Sequence, residues 1–379
     1  MIKVLLVADL EQWILGQVAL QLSQRLSNYM QVTVLYSRSP GFLASFETLQ
    51  RRNDVVHFLS STDVIDSGDI TYIPCVATLW HMVNWAPFEE CAGRIDALFV
   101  CSQQWQQRVV EHIPTNLAVR RMYFGLDIAR FVRDHSAKPA FLQQAGLDQN
   151  VLVFGFAGSG WSNEGNRKGL DRLWDCFIQL KHASGISFEL RIIGPYWPKN
   201  IVPSELRPQT HFDIIDTSLL PQYYSSLDYY VCTSRIEGGP YPVLEAMSCE
   251  CVVLSTPVGI VPEILCHEEN GFLLRDNSIT ADFLDAMGQT ATHPDRRRRC
   301  GQNARQTVVE RCSWNTAVNP DEFLEMYELA IRFFESRPRR QHRTLYRASV
   351  MRTKYRQARL ILKPRDRLRR VWQILDQLR

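Results

Sequence analysis

Val151-Leu-Val-Phe-Gly-Phe-Ala157, running into Gly158-Ser159-Gly160, is the stretch on which the fold turns. A short unbroken run of β-branched, aliphatic and aromatic residues closed by glycine reads as a strand buried on both faces, the kind found in parallel sheets. Working backward, similar runs stand at Lys3–Ala8, Gln31–Tyr36, Asp54–Leu59, Ile73–Trp80 and Ala97–Cys101, with helical patterns between several of them, for example 12–28 and 102–112. Working forward, Phe188–Gly194, Tyr229–Thr233 and Cys251–Ser255 repeat the rhythm. Strand, helix, strand in this order predicts βαβ units and a parallel sheet covered by helices on both faces. Val151 therefore restarts a pattern that had already run once. The polar stretch 134–150, with Pro139 and Gly146, predicts the boundary. The fold class expected is α/β, with two doubly wound domains, 1–145 and 146–336, facing each other across a cleft, the last helix either staying with the second or crossing back to the first. Ligands of such sheets bind at the carboxyl ends of the strands.

Size and composition fit this reading. A chain of 379 residues, 45% hydrophobic and 22% charged, is too long for one core and has the balance of a globular protein. The ten cysteines show neither zinc-site spacing nor the density of a disulfide scaffold, so reduced thiols and a cytoplasmic setting are expected. The apolar start, Met1 to Ala8, is too short for a signal peptide, and no run approaches the roughly 18 apolar residues of a membrane span. No Asp-x-Asp or His/Cys cluster suggests a metal, and no cofactor is expected. Asn319-Pro-Asp-Glu322 has the cap, first-turn proline and acidic residue of a helix start, and Phe323, Tyr327, Ala330, Ile331 and Phe334 follow at helical spacing.

Charge is unevenly distributed. Residues 337–379 hold 15 Lys/Arg against Asp366 and Asp376, a net of +13, while 1–336 hold 28 Lys/Arg against 38 Asp/Glu, a net of −10. In the tail, Leu345, Ala348, Met351, Tyr355, Ala358 and Leu362 form one apolar stripe. Leu368, Val371, Trp372, Leu375 and Leu378 form another beyond Pro364. Two basic amphipathic helices are expected, suited to an anionic membrane surface, to a partner or second copy, or to packing on the body. The acidic body and the lack of a base-stacking motif argue against a nucleic-acid partner.

Chemistry concentrates in Ser234-Arg-Ile-Glu-Gly-Gly-Pro-Tyr-Pro-Val-Leu-Glu-Ala-Met247. Glu237 follows a strand, in a loop containing Gly238 and Gly239. Seven residues then separate it from Glu245, which is placed in the first turn of a helix expected over 242–249. A helix start behind glycines supplies N–H groups and a positive dipole end to an anion such as a diphosphate. Carboxylates beside it are strong acceptors for sugar hydroxyls. With Val258-Gly-Ile-Val-Pro-Glu-Ile264 and Asn270-Gly-Phe-Leu-Leu274, this block resembles glycosyltransferase family 4 and relatives with two Rossmann-like domains, the GT-B architecture. The likeness covers about 1–335.

The resemblance implies a retaining, metal-independent transfer from a nucleotide-sugar donor to a glycan or lipid-linked acceptor. It puts Glu237 on the donor sugar and Glu245 on the nucleoside, with Gly238, Gly239 and Tyr241 in the donor loop. It puts Lys168 of Lys168-Gly169 on the diphosphate leaving group. Relatives carry an arginine just after the preceding strand. Gly158-Ser159-Gly160 has none; Gly158 and Ser159 stand there as donor-binding candidates, and Arg167 is the nearby substitute. Pro240 and Pro242 also lack N–H groups that many relatives offer. His81, after the strand 73–80, corresponds to a histidine near the donor sugar, or packs among Trp80, Met82 and Trp85. Gly16 corresponds to a glycine where backbone approaches the donor, and serves close helix–sheet packing equally well. His57, in mid-strand, reads as structural. Other outcomes for such a chain are a sugar-nucleotide epimerase, an inactive scaffold, or a protein binding nucleic acid through the basic tail.

Overall fold

The computed structural model of the chain describes residues 1–60, 63–64, 71–114, 116–123, 125–159, 167–183, 185–198 and 200–336. The two helices expected in the tail, and Gly160, lie outside the described residues. The architecture is α/β with two six-stranded parallel sheets. The first holds β1 (Lys3–Ala8), β2 (Gln31–Tyr36), β3 (Val55–Phe58), β4 (Cys75–Leu79), β5 (Ala97–Val100) and β6 (Ala118–Arg121), in the order β2-β1-β3-β4-β5-β6. The second holds β7 (Leu152–Ala157), β8 (Phe188–Ile193), β9 (Thr210–Asp213), β10 (Tyr229–Cys232), β11 (Val252–Ser255) and β12 (Phe272–Leu273), in the order β12-β11-β10-β7-β8-β9.

The described chain divides into two compact units. The first takes the described residues of Met1–Val100, Gln106–Arg121 and 319–336; the second takes those of Cys101–Trp105 and Met122–Val318. The division falls at 121/122 rather than within 134–150. Apolar residues in and just before the polar stretch decide this: Leu126, Phe131 and Leu142 join the core under the second sheet. Arg133 adds hydrogen bonds to the Leu227 and Cys249 carbonyls at 2.9 and 3.3 Å, and the Ser248 hydroxyl donates to the Phe131 carbonyl at 2.7 Å.

In the first unit every residue of β1 from Val4 to Ala8 is buried, as a central parallel strand requires. The last described helix, Pro320–Ser336, packs on β3 to β6. The Asn319 side chain caps it by accepting from the Asp321 N–H at 3.1 Å. Phe323, Tyr327 and Ala330 of the expected stripe are buried, together with Met326, while Ile331 and Phe334 are half-buried. Fully buried His57 pins the helix to the sheet, with Nδ1 2.9 Å from the Tyr327 hydroxyl and Nε2 2.7 Å from the Thr78 hydroxyl. Burial pushes the imidazole pKa down to about 3, so the ring is neutral.

The second sheet has a core on each face because successive side chains of a strand alternate. Leu152, Phe154 and Phe156 point to one side with Tyr229 and Val231; Val151, Val153 and Ala157 point to the other with Tyr230 and Cys232. Phe154 stacks on Tyr229 with centroids 4.8 Å apart and meets Phe177 edge-on at 5.0 Å. Leu227 and Tyr223 pack directly onto Gly155, where a Cβ would meet Leu227 Cδ1 at 2.2 Å and the Tyr223 hydroxyl at 2.8 Å.

Candidate active site

Strand order locates the crevice of the second unit. The chain passes from β7 to β8 to β9 in one direction, then lays β10 on the opposite side of β7. Loops leaving the carboxyl ends of β7 and β10 therefore part, and the gap at such a switch point is where open α/β sheets hold ligands. Gly158 and Ser159 follow β7, and Thr233 to Pro240 follow β10.

Glu237 is at the centre of this gap. Its side chain is only 8% exposed, yet it faces two cations: Lys168 Nζ is 2.7 Å from Oε1, and the Arg167 guanidinium is 2.9 Å from Oε2. The Ser234 hydroxyl donates to Oε1 at 2.9 Å. Arg167 also donates to the Ile236 carbonyl at 3.0 Å, and Trp105, buried, donates from Nε1 to the Glu237 carbonyl at 2.7 Å. Two adjacent basic residues at the start of the helix Leu170–Ala183 thus converge on one buried carboxylate from a loop 69 residues further on.

Close backbone approaches hold the loops in place. Gly169, at φ 68°, presses on the Thr233 carbonyl, where a Cβ would lie 2.0 Å from the oxygen; the Thr233 hydroxyl donates to the Gly169 carbonyl at 2.8 Å. Gly259, at φ 56°, backs onto the Gly238 carbonyl, which accepts from the Ile260 N–H at 3.0 Å. The Val258–Ile264 block therefore supports the Gly238-Gly239 loop from behind.

The helix after that loop spans Tyr241–Ser248, beginning one residue earlier than expected. That puts Glu245 in the second turn rather than the first. Pro242 occupies the first turn, where a missing N–H costs nothing, and so allows the earlier start. Glu245 is buried, accepts from the Tyr224 hydroxyl at 2.7 Å, and is pushed up to about 7 by burial. Tyr241, half-buried, donates from its hydroxyl to the Gly125 carbonyl at 3.4 Å.

Among the sequence-derived candidates, Glu237, Gly238, Gly239, Lys168, Arg167, Gly158 and Ser159 come together around the switch point. Glu245 and Tyr241 follow on the adjoining helix. His81 and Gly16 belong to the first unit. His81 is half-buried in the loop after β4, next to Trp80, whose Nε1 donates to the Leu59 carbonyl at 2.6 Å. Gly16 is buried in the first turn of the helix Ile14–Leu26, where a Cβ would lie 2.1 Å from the Leu10 carbonyl oxygen, so the local chain crossing alone demands glycine.

Sequence reasoning missed Ser234, Trp105 and Tyr224. Ser234 lies inside the Ser234–Met247 block, and its side chain, three residues before the glutamate, was the one local signal to be had. The other two reach the site only through the fold. Among the described residues no group of three or more His, Cys, Asp or Glu is arranged to hold a metal ion.

Comparison with known proteins bears on this same segment. Residues 162–307 match the family model described as Glycosyl transferases group 1. A curated relative, the alpha-maltose-1-phosphate synthase of Mycolicibacterium smegmatis, is 28% identical over 139 residues, covering 35% of this chain and 32% of that protein. The match thus spans about a third of the relative's length. The crystal structure of HepE of Anabaena in complex with UDP-glucose is similar at a TM-score of 0.69 and 16% identity, over 86% of this chain and 100% of that one. Sucrose-phosphate synthase of Thermosynechococcus elongatus is similar at a TM-score of 0.67 and 15% identity, over 89% and 100%. The fold shared with these structures is the GT-B glycosyltransferase fold.

Proposed function

We propose that the chain is a retaining, metal-independent glycosyltransferase that moves a sugar from a nucleotide-sugar donor to a glycan or lipid-linked acceptor. The observation that carries the reading is the pairing of Glu237 with Lys168 and Arg167 at the switch point of the second sheet, inside the segment that matches the group 1 family. A leaving diphosphate gathers negative charge as the bond to the anomeric carbon breaks, and two fixed cations beside glycine-lined loops are suited to receive it. Glu237, released from the cations, then turns to the donor sugar, and Glu245 serves the nucleoside. Retention of configuration, His81 on the donor sugar and Gly16 beside the donor rest on the sequence resemblance. The +13 tail beside a −10 body is consistent with attachment to an anionic membrane face in the cytoplasm.

The test is a thermal-shift panel of nucleoside diphosphates and nucleotide sugars. UDP-glucose comes first, since HepE was solved with it. A true donor at about 100 times its Kd stabilises by roughly 2.7 kcal/mol. Transfer with the donor so found, with and without a chelator, should give a product of retained anomeric configuration at the same rate. An inverted product, or activity lost to the chelator and restored by a divalent cation, refutes the mechanism.

A further inference from the structure

Two buried polar atoms beside this site have no hydrogen-bond partner among the described residues: the Ser159 hydroxyl and the indole Nε1 of Trp197. Unpaired buried donors are uncommon, and each costs stability. Both sit where loops from adjacent strands are pressed together. Trp197 lies in the loop after β8, which is drawn against the loop after β7: Gly194, at φ 123°, leaves no room for a Cβ, which would stand 1.8 Å from the Gly158 carbonyl oxygen. Tyr196, at φ 67°, then turns the chain, and the Trp197 ring packs on Phe156 and Phe212 with centroids 6.2 and 6.4 Å away.

The orientation of the ring is informative. A Cβ built on Gly158 would stand 3.4 Å from Trp197 Cζ2 and 3.5 Å from Lys168 Cε. Cζ2 is bonded to the ring carbon that carries Nε1, so the N–H lies toward the indole edge nearest Gly158, the glycine that Lys168 also approaches. Ser159 is the next residue along. Lys168 and Trp197 therefore meet at one glycine whose next residue is Ser159, and Ser159 and Trp197 each hold a buried polar atom with no partner among the described residues. An indole N–H only donates, so its partner must be an acceptor. The lysine beside it favours an anionic one.

Resting on the donor-site reading above, we infer that Trp197 Nε1 and the Ser159 hydroxyl donate hydrogen bonds to a phosphate of the nucleoside diphosphate, making Trp197 a donor-binding residue. The two neutral donors add to Lys168 and Arg167 without adding charge, and satisfying them offsets part of the cost of prising the cations from Glu237.

The experiment uses the full chain and whichever of UDP, ADP and GDP stabilises the wild type most. Titration calorimetry is run on the wild type, Ser159→Ala and Trp197→Phe, with the matching nucleoside and inorganic pyrophosphate as further ligands. Each variant is expected to raise the Kd for the nucleoside diphosphate and for pyrophosphate about tenfold, the lower end for a hydrogen bond to a charged group. Affinity for the nucleoside should stay unchanged. Ser159→Ala without ligand should melt at or above the wild-type temperature, because an unpaired hydroxyl has been removed. Wild-type affinity within twofold in both variants, even with Trp197→Phe less stable, overturns the inference and leaves a packing role or a bridging water; the donor-site reading then stands. If the wild type binds none of the three diphosphates, the donor-site reading itself falls and takes the inference with it.

Discussion

Replacing Glu237 by glutamine should lower stability while raising affinity for a diphosphate, a divergence that loss of a purely structural ion pair would not produce. The carboxylate is 2.7 Å from Lys168 and 2.9 Å from Arg167, and all three side chains are 8 to 15% exposed. At an effective dielectric near 20, each contact has a gross attraction of about 6 kcal/mol. Much of this is cancelled by desolvation, but removing one partner of a buried pair still costs roughly 3–5 kcal/mol, because the remaining charges stay buried. The two cations retain slight solvent access, so the lower figure applies, about 3 kcal/mol. For a domain of this size that is roughly 6–12 °C in Tm. Nucleoside diphosphate binding should move the other way: the diphosphate no longer competes with a carboxylate for the cations, and affinity should rise about tenfold, or roughly 1.4 kcal/mol. Sugar transfer should fall steeply, since the proposed contact to the donor sugar is lost. Differential scanning fluorimetry, titration with the nucleoside diphosphate and a transfer assay read the three quantities. An unchanged Tm, or weaker diphosphate binding, would refute the reasoning.

Further tests address the framework, the pH response and the tail. Gly194→Ala forces a Cβ to within 1.8 Å of the Gly158 carbonyl oxygen and should cost more than about 4 kcal/mol by chemical denaturation, while Gly185→Ala, with open space around it, should stay within about 0.5 kcal/mol. Glu245 titrates near 7 in the fold against an ordinary value of 4.5, so the unfolded chain releases its proton first and stability falls as pH rises between those values, by about 3 kcal/mol in all. Glu245→Gln should remove that slope, and a variant gaining no stability relative to wild type between pH 4.5 and 8 contradicts the burial argument. His57 behaves oppositely: with its pKa lowered from 6.5 to about 3, stability is lost as pH falls below 6.5, by up to about 1.4 kcal/mol per unit, and His57→Gln should flatten that limb of the Tm profile. Deletion of 337–379 should leave nucleoside diphosphate binding intact and abolish low-salt co-flotation with anionic vesicles; equal flotation without the tail refutes the membrane role.

The fold was legible where burial is two-sided. Central strands such as Leu152–Ala157, and Lys3–Ala8 beyond its exposed first residue, must be apolar, and their runs matched the observed strands within a residue or two. Two of the edge strands are hard to read for the converse reason. Ala118–Arg121 ends in two arginines, one of which pairs with Glu325 at 2.7 Å, and Thr210–Asp213 is half exposed, so neither shows an apolar run. The division between the units falls away from the polar stretch because polar composition marks surface rather than separation. Three apolar anchors, Leu126, Phe131 and Leu142, suffice to bind a hydrophilic stretch to the second core.

Within the site, the family resemblance pointed to Glu237 and Lys168 individually but was silent on their pairing, since 69 residues separate them. That pairing determines what a ligand must do. A buried carboxylate that already satisfies two cations turns anion binding into an exchange reaction: any diphosphate entering the crevice has to replace carboxylate oxygens on Lys168 and Arg167. The exchange favours a ligand that brings more oxygens than it displaces and that finds additional donors waiting. The unpaired Ser159 hydroxyl and Trp197 indole supply such donors. A lone phosphate has fewer oxygens with which to reach both the cations and the Gly158 corner. On the proposed reading, the same closed charge pair would select for a diphosphate and would leave Glu237 free to contact the sugar only after the diphosphate has arrived.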